Sequence, residues 1–121
     1  MPRAAELGDR AEEAARDYLV SRGLELLGEK LRVGRLEIDL LFREGSVIVV
    51  VEVRTRGPRS FVRALDSIDR GKRSRVRIAG ERLWRERFAR DRSLERMRFD
   101  IAAVAFDKAG EASVEHLRAA F

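Results

Sequence analysis

Five consecutive β-branched residues, Val47-Ile48-Val49-Val50-Val51, constrain this chain more than any other feature. The run has no polar alternation, so it reads as a central strand buried on both faces of a sheet. It continues into Glu52-Val53-Arg54, which puts a carboxylate inside an apolar strand. A carboxylate there loses solvation unless something pairs with it. Upstream, Leu36 to Phe42 reads as a second strand in which Glu37 and Asp39 alternate with Leu36, Ile38 and Leu40. Arg43-Glu44-Gly45-Ser46 joins the two as a tight hairpin turn. A reversal between Glu44 and Gly45 sets Glu37 opposite Glu52 and Asp39 opposite Val50, crowding three carboxylates on one face. Opposed like charges in a sheet cost a few tenths to about 1 kcal/mol. Two neutralisers fit: a salt-bridge cluster from Arg35, Arg54 or Arg56, or a hard divalent cation such as Mg²⁺, which prefers carboxylate oxygens.

Helical periodicity surrounds these strands. Leu7, Ala11, Ala14, Ala15, Tyr18 and Leu19 form one apolar stripe over 7–22, closed by Gly23. Glu12 sits at the edge of that stripe, beside Leu19, where a glutamate either reaches the sheet or marks an ordinary boundary. Leu24 to Leu27 reads as a short strand, and Gly28 to Arg35 as a turn leading into the next. A second helix is expected over Arg70 to about Arg90, with Trp84 and Phe88 on its buried side rather than stacking on bases. Arg98 to Phe106 and Ser113 to Leu117 close the pattern as strands. The fold class is therefore α/β, a mixed central sheet flanked by helices in the order α-β-β-β-α-β-β, with 1–121 as a single domain. The lone histidine, His116, reads as structural.

Charge narrows the partner. Residues 54–98 hold 16 basic and 6 acidic groups, a net +10, while both flanking segments are net negative. Such a block suits a polyanion. No run is long enough to span a membrane, the charged start lacks the apolar core of a signal peptide, and there are no cysteines. A cytoplasmic protein without disulfides or a thiolate zinc site is expected.

Short motifs carry a resemblance. Gly8-Asp9-Arg10-Ala11-Glu12, Glu37-Ile38-Asp39-Leu40, Val51-Glu52-Val53-Arg54-Thr55-Arg56, Lys72 and Arg98-Phe99-Asp100 occur in this order. Together they resemble the YraN-like family of small bacterial proteins, within the PD-(D/E)xK nuclease superfamily. The resemblance implies a restriction-endonuclease-like fold similar to Holliday-junction resolvases. It implies Asp39 and Glu52 as ligands of Mg²⁺ or Mn²⁺, with the Val53 carbonyl completing the shell, Glu12 as an auxiliary acid and Glu37 as a further acidic neighbour. It also allows two chains to pair as a symmetric homodimer. Two positions depart from the family pattern. Ala11 replaces a helical glycine, which is harmless. Arg54 replaces the motif lysine; it keeps the charge but cannot deprotonate water.

The function expected is metal-dependent endonuclease hydrolysis of phosphodiesters in DNA, branched or structured. Arg54 would contact the phosphate, while Arg56, Arg59, Arg63, Lys72, Arg73, Arg75 and Arg77 would grip the backbone. Lys72 is also a candidate substitute for the missing lysine. Two rivals stand beside this reading: a nucleic-acid-binding protein of nuclease ancestry without turnover, and an interaction protein whose acidic cluster is a salt-bridge network.

Overall fold

The computed structural model describes residues 4–56 and 69–121. Helix α1 (Ala4–Ser21) is followed by strands β1 (Glu25–Val33), β2 (Leu36–Glu44) and β3 (Val47–Arg56). Helix α2 (Arg70–Leu83) widens into a π-helical turn over Trp84–Phe88, and β4 (Arg96–Phe106) and β5 (Ala112–Leu117) follow. The five strands lie in sequence order. All neighbours are antiparallel except β3 and β4, which the α2 crossover makes parallel. This is the expected mixed sheet and element order. No described helix is long and apolar enough to cross a membrane.

The β-branched run explains the layering. Val47 to Val51 occupy the central strand and are buried throughout. Val47, Val49 and Val51 face α1, where Ala11, Ala15 and Leu19 cover them. Ile48 and Val50 face α2, against Val76, Ala79 and Leu83. Trp84 and Phe88 join this second core, as expected of core aromatics. Helix α1 ends through Gly23 at φ 96°, with Leu24 N–H reaching Leu19 O and Gly23 N–H reaching Val20 O. That paired closure is the Schellman arrangement a C-terminal glycine permits. Asp69 caps α2 by accepting from Lys72 N–H at 2.7 Å.

Two sequence expectations are corrected. The first strand does not stop before Gly28: β1 continues to Val33, and a bulge between Leu26 and Gly28 absorbs one residue. The hairpin does not reverse between Glu44 and Gly45 either. Gly45, at φ 61°, and Ser46 form a two-residue turn that pairs Glu44 with Val47, and Leu40 comes opposite Val51. Glu37 lies opposite Arg32 of β1, not opposite Glu52.

Gly80 marks the tightest helix-to-sheet approach. A Cβ there would stand 2.6 Å from Phe99 Cε1 and 3.1 Å from Met97 Sδ. Helix propensity alone favours Gly80→Ala by roughly 0.8–1 kcal/mol. Overpacking against the buried Phe99 ring should win, and urea unfolding should show a net loss of about 1–3 kcal/mol.

Candidate metal centre

The site begins where the sheet divides. The β2–β3 ladder ends at Leu40 and Val51. Beyond that point β2 stays paired to β1 as far as Leu36, and β3 stays paired to β4 as far as Arg56. The two central strands therefore fork. Side-chain alternation slips at the same place: Leu36 and Ile38 belong to the α2-side core, whereas Leu40 and Phe42 belong to the α1-side core. Asp39 lies at the slip. Its Oδ2 accepts the Val53 backbone N–H at 2.9 Å, replacing the ladder bond lost in the fork. In a strand, a residue's N–H and C=O point to the same edge, so the Val53 carbonyl also faces the fork.

Glu52 lies on the α2 side with Ile48 and Val50, and its side chain is only 3% exposed. Its Oε1 has no hydrogen-bond partner. Among the described residues its ion-pair partner is Lys72, on the first turn of α2, whose Nζ stands 3.4 Å from that oxygen outside hydrogen-bonding geometry. Burial, then hydrogen bonding to Glu52 and repulsion from it, push the Asp39 carboxyl up to about 8; the Val53 N–H and Lys72 pull the other way without prevailing. A half-buried and a buried carboxyl thus meet at the fork, with one backbone N–H and one lysine as their donors among the described residues. That suits a cation, which would replace the shared proton.

Glu37 and Glu12 approach from the α1 side. Carboxylate oxygens of Glu12, Glu37 and Asp39 all lie within 4.8 Å of one another. The acidic patch therefore straddles the fork, with Glu52 on one face and Glu37 with Glu12 on the other, rather than crowding a single face. The slip at Asp39 separates them. Burial raises the Glu12 carboxyl above its ordinary range, helped by Asp39 and Glu37 and opposed by Lys30.

Lys30 went unread in the sequence. Its Nζ donates to Glu12 Oε2 at 2.5 Å and to Asp9 Oδ1 at 2.9 Å. It holds a left-handed backbone, φ 48°, at the unpaired β1 position between Glu29 and Leu31. Nothing in Gly28-Glu29-Lys30-Leu31 signals this, because the partners Asp9 and Glu12 lie on α1, about twenty residues away along the chain.

Arg54 continues β3 opposite Ala103, and its buried Nε also lacks a hydrogen-bond partner. Its charge helps hold the Asp69 carboxyl below the ordinary range, behind the Lys72 N–H and Arg75. Among the described residues, neither Arg35 nor Arg54 forms an ion pair with Asp39 or Glu52. Arg75 is on the same stripe of α2 as Lys72, whereas Arg77 packs over the Phe99 ring at 4.9 Å beside a separate hollow with Glu81 and Arg96. Arg73 lies in the first turn of α2, its N–H bonded to Asp69 O. The Arg56 side chain, Arg59 and Arg63 fall outside the described residues.

Asp100 offers a contrast. It is fully buried, yet it accepts from Arg98 at 2.8 and 2.9 Å and from Ala119 N–H at 2.9 Å, and it meets His116 Nε2 at 2.7 Å. Burial pushes its carboxyl up, but these partners outweigh burial and hold it below the ordinary range. His116 is structural, as the sequence suggests.

A mixed sheet in this order, forked at an aspartate with a buried glutamate on the next strand, defines a restriction-endonuclease-like protein. The model of the "Uncharacterised protein family UPF0102" matches residues 11–104, and the chain belongs to that family, the YraN-like group. It is 59% identical over 115 residues to UPF0102 protein sce2912 of Sorangium cellulosum, covering 95% of this chain and 80% of that one. A UPF0102 protein of Clavibacter michiganensis is 34% identical over 99% of both chains. UPF0102 protein Anae109_1947 of Anaeromyxobacter is 39% identical over 87% of this chain and 81% of its own.

The fork has a testable pH signature. Because folding raises the Asp39 pKa, its protonated form stabilises the fold. That contribution is full below about pH 4 and is lost as pH rises to about 8. In Asp39→Asn, the amide oxygen can still accept from Val53 while the amide N–H₂ donates to Glu52. In chelator, the variant should melt close to wild type at pH 5 and roughly 5 °C or more above it at pH 9. Equal melting at both pH values would count against the shared-proton description.

Proposed function

We propose that the protein is a metal-dependent endonuclease acting on DNA in the cytoplasm. The supporting observation is the meeting of Asp39 and Glu52 at the fork with Glu52 Oε1 left without a donor. Asp39, Glu52 and the Val53 carbonyl would hold Mg²⁺ or Mn²⁺, with Glu12 and Glu37 as the acidic neighbours on the opposite side. When bound, the ion lowers the pKa of water and neutralises charge on the scissile phosphate.

The chain's own residues divide the remaining work. Val53 N–H fixes Asp39, so its second oxygen stays directed by the fork. Lys72 offsets the charge of Glu52 and carries an ammonium that can exchange a proton, which the Arg54 guanidinium cannot. Arg54 supplies fixed positive charge for the phosphate from the strand that bears Glu52. Arg75 and the other arginines of the basic block grip backbone without reading sequence. Homodimerisation would let two such sites address two strands of one branched duplex.

Isothermal titration with Mn²⁺ should show binding by wild type and at least a tenfold loss in Asp39→Ala and in Glu52→Gln. Lys30→Asn removes the ammonium that competes for Glu12 and suits the left-handed backbone, so it should bind Mn²⁺ several-fold more tightly. Cleavage of branched or supercoiled DNA with Mg²⁺ should disappear in Asp39→Ala, and undiminished cleavage would sink the assignment. If wild type binds Mn²⁺ and DNA but never cleaves, while Arg54→Lys does, the chain is a nuclease-derived binding protein.

A further inference from the structure

The largest exposed apolar side chain among the described residues is Ile78, at 65% exposure on α2. It belongs to a groove of about 360 Å³ between α2 and the turn joining β1 to β2. Val33, Leu36, Ile78 and Ala79 give it an apolar lining, which Arg35, Arg75 and Arg82 share. A solitary exposed isoleucine needs no explanation. A largely apolar groove lined also by three arginines is a different object. It pairs a surface for flat apolar rings with charges for phosphates, a combination that suits a single nucleic-acid strand better than an acidic peptide or a rigid duplex backbone.

The placement strengthens this. On α2, Lys72, Arg75, Ile78 and Arg82 recur at three- and four-residue intervals and so share one side of the helix. That stripe starts at the lysine beside Glu52 and runs about 15 Å to Arg82. The opposite wall leads to the same place: Leu36 is three residues from Asp39 along β2, about 10 Å. Both walls converge on the fork. A strand leaving the fork reaches the apolar lining at Leu36 within roughly three stacked nucleotides at about 3.4 Å each. Arg82 also pairs with Glu86 at 2.9 Å, an exposed bridge that a phosphate can displace at little cost.

Building on the nuclease reading, we infer that this groove holds the single-stranded segment continuous with the strand at the fork, with a base or sugar on Ile78 and phosphates on Arg35, Arg75 and Arg82. Its substrate class is then DNA with an unpaired stretch about three nucleotides from the cut, not continuous duplex.

The test is fluorescence anisotropy with a labelled oligothymidylate and with a blunt duplex of the same length, in Mg²⁺-free buffer at several salt concentrations. Wild type should prefer the single strand. Ile78→Ala should weaken the single strand three- to tenfold with the salt slope unchanged, and Ile78→Glu by tenfold or more. Arg35→Ala and Arg82→Ala should each lower the salt slope by about one. Ile78 is exposed, so both of its variants should melt like wild type. Single-strand affinity unchanged in Ile78→Ala and Ile78→Glu would overturn the inference while leaving the fork untouched. So would sedimentation showing a dimer that Ile78→Glu disperses without loss of DNA affinity, which would assign the groove to a second copy of the chain. Failure of wild type to bind either DNA at 50 mM salt would instead strike the nucleic-acid reading itself.

Discussion

The bond from Val53 N–H to Asp39 Oδ2 is the interaction on which the site depends. A backbone N–H left unpaired between separating strands costs about as much as a lost hydrogen bond. Here a side chain from β2 supplies the acceptor that the β2 backbone no longer can. The fork can then open within the sheet, and Asp39 is fixed beside Glu52. Among the described residues, that N–H and the hydrogen bond shared with Glu52 are what Asp39 receives, and together they do not offset its burial. Stability of the fork and the proposed cation site therefore rest on the same residues.

Comparison with Asp100 separates structural from functional burial. Both carboxylates lie in strands of the same sheet. Asp100 takes a two-pronged guanidinium, an imidazole nitrogen and a backbone N–H, and its ionised form is favoured. Asp39 and Glu52 face one another with one N–H and one lysine at 3.4 Å, and ionisation of Asp39 is disfavoured. Burial alone does not mark a site; burial without enough donors does. The ammonium of Lys30 over Glu12 fits this picture, as a cation the chain itself supplies on the other side of the fork.

Much of this was legible in the chain. Val47 to Val51 announce the central strand, the helical stripe places Glu12 at its edge beside Leu19, and the short acidic motifs single out Asp39 and Glu52. The hairpin register was misread because Glu44 and Gly45 alone do not reveal whether one or two residues make the turn. Three carboxylates on one face was the wrong picture for a related reason. Strict alternation holds only along an unbroken ladder, and β2 slips at Asp39 where its partner strand departs. Lys30 is not legible in the sequence because its partners, Asp9 and Glu12, come from α1 and meet it only when helix and sheet pack together.

The sequence by itself determined the elements, their order, and which carboxylates lie in apolar strands, because periodicity and side-chain chemistry are local properties. Only the tertiary structure decided how those carboxylates meet. It forked the sheet, moved Glu37 and Glu12 to the face opposite Glu52, brought Lys72 from the next helix to within 3.4 Å, and aligned Ile78 with arginines from two elements. These are pairings between residues far apart in the chain, and they depend on where a hydrogen-bonded ladder ends, which no single strand encodes.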